Sequence, residues 1–138
     1  RIDWQVADAV QTGLPPQTFE LITCAFGLRN IPDRLAALRE MHRLLRPGGR
    51  IGILEFSLPK NKVLRRLYWI YLRYVMPAAG VLLFAGRKPL DYLAESIRAW
   101  NDEFDLPAVC RQAGLIYVRA QSLTCGILTL HLLQNKAN

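Results

Sequence analysis

The order of elements between residues 19 and 57 constrains this chain more than any other feature. Phe19-Glu20-Leu21-Ile22-Thr23-Cys24 reads as part of a short buried strand, expected over 20–25. From Pro32 to Arg46 the apolar positions Leu35, Leu38, Met41 (or His42) and Leu45 recur at helical spacing. Pro32 suits a first helical turn, Asn30 is the cap residue upstream, and Pro47-Gly48-Gly49 ends the helix. Arg50-Ile51-Gly52-Ile53-Leu54-Glu55-Phe56 is then a strand that is apolar on both faces, as buried parallel strands are. Strand, helix, strand in that order is a βαβ unit with a right-handed crossover. The expected class is therefore α/β.

Other segments extend this pattern. Residues 2–7 read as another short buried strand, followed by the turn-rich connector Gln11-Thr12-Gly13-Leu14-Pro15-Pro16. Leu106–Ala113 reads as a short helix stopped by Gly114. Ile116–Leu123 and Ile127–Leu133 read as two strands joined so closely that they must pair antiparallel. Gly27, Arg29 and Asn30, in the stretch Ala25-Phe26-Gly27-Leu28-Arg29-Asn30, fall where the strand hands over to the helix. Open α/β sheets bind ligands at that C-terminal rim.

Residues 59–101 form an insertion within a single domain spanning 1–138. Its first half, Lys60–Pro77, reads as an amphipathic helix with Leu64, Leu67, Tyr68, Tyr71, Leu72 and Val75 on one broad face. Tyr74–Gly86 holds 13 uncharged residues, too few to span a membrane and interrupted by Pro77 and Gly80. Lys60, Lys62, Arg65, Arg66, Arg73, Arg87 and Lys88 gather positive charge here. Two compatible readings follow: a cap helix packed on the core, and a face that meets a membrane surface or an isoprenoid tail.

Composition narrows the partners. Of 138 residues, 51% are hydrophobic and 21% charged, which excludes disorder and suits one compact domain. Eighteen Lys and Arg against 11 Asp and Glu give a formal +7, which points to an anionic partner surface. The aromatics are not interleaved with basic residues across an expected sheet, as a platform for single-stranded nucleic acid requires, so no nucleic-acid partner is expected. Cys24, Cys110 and Cys125 lie far apart in apolar settings, as buried reduced thiols of a cytoplasmic protein do, and no metal site is expected. The chain opens with Arg1 on a stretch resembling mid-domain strand, without a signal-peptide pattern, so a fragment is the expectation. His42, on the helix, and His131, on a terminal strand, are read as structural.

Asp8-Ala9, the Phe26-Gly27-Leu28-Arg29-Asn30 junction, Arg46-Pro47-Gly48-Gly49 and Leu54-Glu55-Phe56-Ser57 together resemble one family. It is the UbiE/MenG/COQ5 family of S-adenosylmethionine-dependent C-methyltransferases of ubiquinone and menaquinone biosynthesis. Tyr92-Leu93-Ala94-Glu95-Ser96-Ile97 fits it too, and the resemblance covers essentially the whole chain. It implies a class I methyltransferase fold, Rossmann-like. Two departures stand out. Arg46 replaces the family's usual Lys before Pro-Gly-Gly. More importantly, the Gly-rich loop and the acidic residue that hold the methionine end and ribose of the cofactor have no counterpart in these residues. The resemblance is thus to the C-terminal part of the enzyme, lacking the N-terminal strands and half the cofactor site.

The same resemblance implies site residues. Asp8 corresponds to the residue accepting a hydrogen bond from the adenine amino group, with Ala9 beside the ring and Ala25 leaving room for the cofactor. Arg29 is suited to stabilising a developing phenolate but not to acting as a base, because a guanidinium keeps its proton. Asn30 orients the quinol or a water, or caps the next helix. Glu55 is either a partner of Arg29 or a proton acceptor. Tyr92 and Ser96, one helical turn apart, line the quinone head-group pocket. The implied reaction is C-methylation of a prenylated quinol, with demethylmenaquinol slightly favoured, in a protein peripheral to the inner face of the membrane. A catalytically dead binding module and a methyltransferase for another small-molecule acceptor are the alternatives. Without its first strands the chain is also expected to expose a sheet edge that invites dimerisation or strand exchange.

Overall fold

A computed structural model describes residues 2–78 and 88–136. Four strands form one sheet: β1 (Phe19–Ala25), β2 (Leu45–Phe56), β3 (Ile116–Leu123) and β4 (Leu128–Gln134), in the order β1-β2-β4-β3. β1 and β2 are parallel, joined through helix α1 (Arg34–Leu44), which is the expected βαβ unit. β4 runs antiparallel to β2. Asn135 N donates to Gly49 O at 2.9 Å near one end of that pair, and Ser57 N to Ile127 O at 2.8 Å near the other. β3 and β4 form a hairpin through Thr124–Gly126. The chain divides into two compact units, one of 1–54, 105–121 and 130–138, the other of 55–104 and 122–129.

The first unit is built on α1 and the short helix α4 (Leu106–Gln112), which pack on each other. Leu38, Leu45, Ile51, Ile53, Cys110 and Leu133 are fully buried here. Gly114, two residues past the end of α4, has φ +83 and lies against the His42 ring. His42 Nε2 hydrogen-bonds Asn135 Oδ1 at 2.9 Å, and His131 Nδ1 meets the Tyr117 hydroxyl at 2.7 Å. Burial lowers the pKa of His131. Both histidines therefore have structural partners. In the second unit, helix α2 (Lys62–Ile70) continues through a π turn (Tyr71–Val75). Tyr68, Leu72 and Ile97 form the core there, with Phe56, Trp69 and Leu93 packed against it; Ile97 belongs to helix α3 (Lys88–Glu103).

Several sequence expectations need correction. Residues 2–7 form no strand: Ile2, Trp4 and Val6 are exposed, because no other strand among the described residues hydrogen-bonds that segment. α1 is capped by Asp33, whose Oδ1 accepts from Ala36 N at 2.8 Å, rather than by Asn30. Its buried stripe is Ala37, Leu38, Glu40 and Leu44, while Leu45 already belongs to β2. Pro-Gly-Gly does not stop the helix either. Phe19 pairs with Leu45 and Leu21 with Arg50, so Arg46–Gly49 bulge out of β2 opposite Glu20. The Arg46 guanidinium meets Glu20 Oε1 at 2.8 Å. A Cβ on Gly49 would lie 2.9 Å from the Arg46 carbonyl and 3.2 Å from that of Glu20, so only glycine lets the bulge close. Along α2 and its π turn the buried face is narrower than the pattern implied, for Leu67, Tyr71 and Val75 are exposed. Cys125 is exposed in the hairpin turn at φ +56, whereas Cys110 is buried and its thiol is pushed up to about 12 by desolvation. The part of the uncharged 74–86 run from residue 79 on, with Arg87, lies outside the described residues.

Candidate active site

The site is built where β1 runs out. Phe26 N still donates to Leu54 O at 2.9 Å, extending the β1–β2 ladder by one bond. The backbone then turns: Phe26 has φ +57, a left-handed conformation that costs a residue with a Cβ roughly 1–2 kcal/mol. Two side chains hold it there. Arg29 Nη1 donates to the Phe26 carbonyl at 2.9 Å, and Asn30 Nδ2 donates to the same oxygen at 3.0 Å. Leu28, fully buried, anchors the 3₁₀ turn Leu28–Asn30 between them. Asn30 N closes that turn on the Gly27 carbonyl at 3.0 Å, and Arg34 Nη2 binds the Arg29 carbonyl at 2.9 Å. Gly27 is needed for closeness rather than for its own φ of −103°, since a Cβ there would meet Cys24 Sγ at 3.1 Å. A strained carbonyl is thus clamped by a cation and an amide at the C-terminal end of a parallel strand.

Asp8 is exposed in a tight turn, with Oδ1 accepting from Val10 N at 3.0 Å and its carbonyl from Gln11 N at 3.1 Å. Ala9 is exposed on the same turn, and Ala25 is exposed at the last position of β1. The remaining candidates belong to the second unit. Glu55 is fully buried, Tyr92 is 57% exposed on α3, and the Ser96 hydroxyl donates to the Leu93 carbonyl of its own helix at 2.9 Å. The structure therefore brings Arg29 and Asn30 onto one atom.

Sequence reasoning passed over Phe26 and Glu40. Glu40 is 8% exposed and accepts from Thr12 N at 2.9 Å, Thr12 Oγ1 at 2.6 Å, and Arg43 Nε and Nη2 at 2.8 and 2.7 Å. These bonds tie the loop that follows Asp8 to α1. The available signal was a carboxylate between Ala37 and Leu44, one helical turn from each, with Arg43 three residues on.

The sequence profile of the ubiE/COQ5 methyltransferase family matches residues 1–135. The chain belongs to that family. It is 42% identical over 130 residues to the ubiquinone/menaquinone biosynthesis C-methyltransferase UbiE of Shewanella woodyi, covering 94% of this chain and 52% of that protein. Against the demethylmenaquinone methyltransferase of Mycolicibacterium vanbaalenii it is 44% identical over 124 residues, covering 90% and 54%. The chain thus spans about half the length of the relatives it matches. Among solved structures it is similar to a SAM-dependent methyltransferase from Aquifex aeolicus, with a TM-score of 0.61 at 13% identity over 96% of this chain and 54% of the other. It is also similar to the [4+2]-cyclase SpnF, with a TM-score of 0.59 at 13% identity, covering the whole chain and 58% of SpnF. These likenesses establish the fold expected from the sequence, an α/β class I methyltransferase sheet.

Proposed function

We propose that this chain carries the acceptor-side rim and part of the cofactor site of an S-adenosylmethionine-dependent C-methyltransferase acting on a prenylated quinol. The observation that carries the reading is the Phe26 junction, a guanidinium and an amide fixed together at the strand end of a chain of this family. The residues present fit the adenosine end of the cofactor. Asp8 offers an exposed carboxylate to an amino group, and Ala9 and Ala25 present nothing larger than a methyl. When bound, the cofactor supplies an electrophilic methyl group on a sulfonium.

Loss of a quinol hydroxyl proton makes the adjacent ring carbon nucleophilic and leaves negative charge on the oxygen. Arg29 stabilises that oxygen, directly or through a water, and its bond to the Phe26 carbonyl fixes the guanidinium before the acceptor arrives. Asn30 shares the carbonyl and keeps the same turn in place. Glu55, Tyr92 and Ser96 are the acceptor-side residues of this proposal, Glu55 being an acidic side chain fully buried near the end of β2. A naphthoquinol acceptor is preferred, in keeping with the demethylmenaquinone relative. Its prenyl tail places the enzyme at a membrane surface. Among the described residues no helix is long and apolar enough to cross one.

Calorimetric titration tests the cofactor assignment. The 130 matched residues of the Shewanella woodyi enzyme can be replaced by those of this chain, keeping that enzyme's remaining residues. The chimera is expected to bind S-adenosylmethionine, and this chain alone to show no detectable heat. Absence of binding by a folded chimera would favour a methyltransferase-like binding module.

A further inference from the structure

α2 and its π turn are apolar on two sides. One side buries Tyr68 and Leu72 in the core of the second unit. The other carries Val63, Leu67, Ile70, Tyr71, Tyr74 and Val75, all large and all 45–69% exposed. Their spacing of three or four residues, or adjacent pairs, keeps them along one side of the helix. Isolated exposed apolar residues are ordinary, whereas a continuous stripe of six marks an interaction surface. Between residues 60 and 78 there are five cations, Lys60, Lys62, Arg65, Arg66 and Arg73, and no Asp or Glu. Arg66 and Arg73, seven residues apart, line a groove of about 1050 Å³ that Trp69 and Tyr74 share and that Arg98, Glu95 and Asp102 of α3 also border, Arg98 being paired with Asp102 at 3.4 Å.

We propose that this stripe docks onto the surface of an anionic phospholipid bilayer. Val63, Leu67 and Ile70 enter the acyl boundary, Tyr71 and Tyr74 lie at headgroup level, and the flanking arginines contact lipid phosphates. Two other occupants fit less well. A second copy of the chain, paired about a twofold axis, would set five cations against five like charges with no carboxylate from the same segment to offset them. A single isoprenoid tail wants an enclosing cavity, and although Ile70 and Tyr74 border the groove, Val63, Leu67, Tyr71 and Val75 lie outside its lining on an exposed helix surface. The inference rests on the proposed function only in taking the acceptor to reside in a bilayer.

Co-sedimentation with vesicles tests it. This chain is expected to bind vesicles of equal parts phosphatidylcholine and phosphatidylglycerol more than about tenfold more tightly than phosphatidylcholine alone, with affinity falling as salt rises. Leu67→Glu with Tyr74→Glu is expected to weaken binding about tenfold or more, and both sites are exposed enough for the fold to persist. Arg66→Gln with Arg73→Gln is expected to reduce the preference for the anionic lipid. Equal affinity for both vesicle types, or binding unchanged by the Glu pair, overturns the proposal. So does a dimer by light scattering that the Glu pair dissolves, which would assign the stripe to a second copy. Methyl transfer by the chimera to a water-soluble short-chain quinol is expected to be unaffected by the Glu pair. Loss of vesicle binding and loss of chemistry are thereby read separately.

Discussion

Replacing Arg29 by Ala in the chimeric enzyme is expected to lower kcat by about 10²–10³-fold while changing the KM for the quinol far less. Removing one fixed donor aimed at a developing oxyanion has that order of effect, since it acts on charge present only in the transition state. The same change also removes the Nη1 bond to the Phe26 carbonyl, at a cost of about 1–3 kcal/mol in stability. Asn30 Nδ2 still binds that carbonyl, so the left-handed turn persists and the protein remains folded. Lysine keeps the charge but not the fork, and Arg29→Lys is expected to recover part of kcat. Single-turnover kinetics at saturating cofactor separate the two roles. A fall in melting temperature with kcat unchanged would reduce Arg29 to a structural clamp.

Glu40→Ala is expected to destabilise the first unit by about 2–3 kcal/mol, read as a fall in melting temperature of roughly 10 °C. Glu40 takes four hydrogen bonds and is nearly buried, so its loss leaves the Thr12 amide and hydroxyl without their acceptor. The cost stays moderate because Arg43, 40% exposed, returns to water. The Arg43 side chain first, and the Thr12 hydroxyl and amide after it, hold the Glu40 carboxyl down at about 2 against an ordinary 4.5, although burial opposes them. A carboxylate with a depressed folded-state pKa binds its proton more readily in the unfolded chain. Its contribution is therefore complete above about pH 4.5 and is lost as pH falls toward 2. Glu40→Gln should flatten the pH dependence of stability across that window while leaving other carboxylates to titrate as before. Urea unfolding at several pH values measures both effects.

Where a signal was local, it could be read from the chain. The apolar run of β1, the helical spacing of α1 and the strand 50–56 each declare themselves within a dozen residues, and together they specify a parallel pair. The rim position of Arg29 follows from that order alone. What could not be read depends on partners distant in sequence or on side-chain geometry. Residues 2–7 have the composition of a strand, but an extended segment becomes a strand only when another backbone bonds to it. Pro47-Gly48-Gly49 carries the chemistry of a helix stop. It serves instead as a bulge because Phe19 and Leu21 fix the register across the ladder. The left-handed φ of Phe26 has no compositional mark, since its cause is the pair of donors that converge on its carbonyl. Hydrophobic periodicity marked Leu67, Tyr71 and Val75 but grouped them with the buried Tyr68 and Leu72 on one face of the helix. Which of its two apolar sides is buried depends on Ile97 and Leu93 of α3, some 25 residues away in the chain.

Product analysis of the chimera supplied with S-adenosylmethionine and a demethylated prenyl naphthoquinol tests the central claim most directly. The account predicts a quinol carrying one added methyl on a ring carbon, at a rate that collapses when Arg29 is replaced by Ala. A folded chimera that binds the cofactor yet yields no methylated quinol, or only an O-methyl ether, would contradict it.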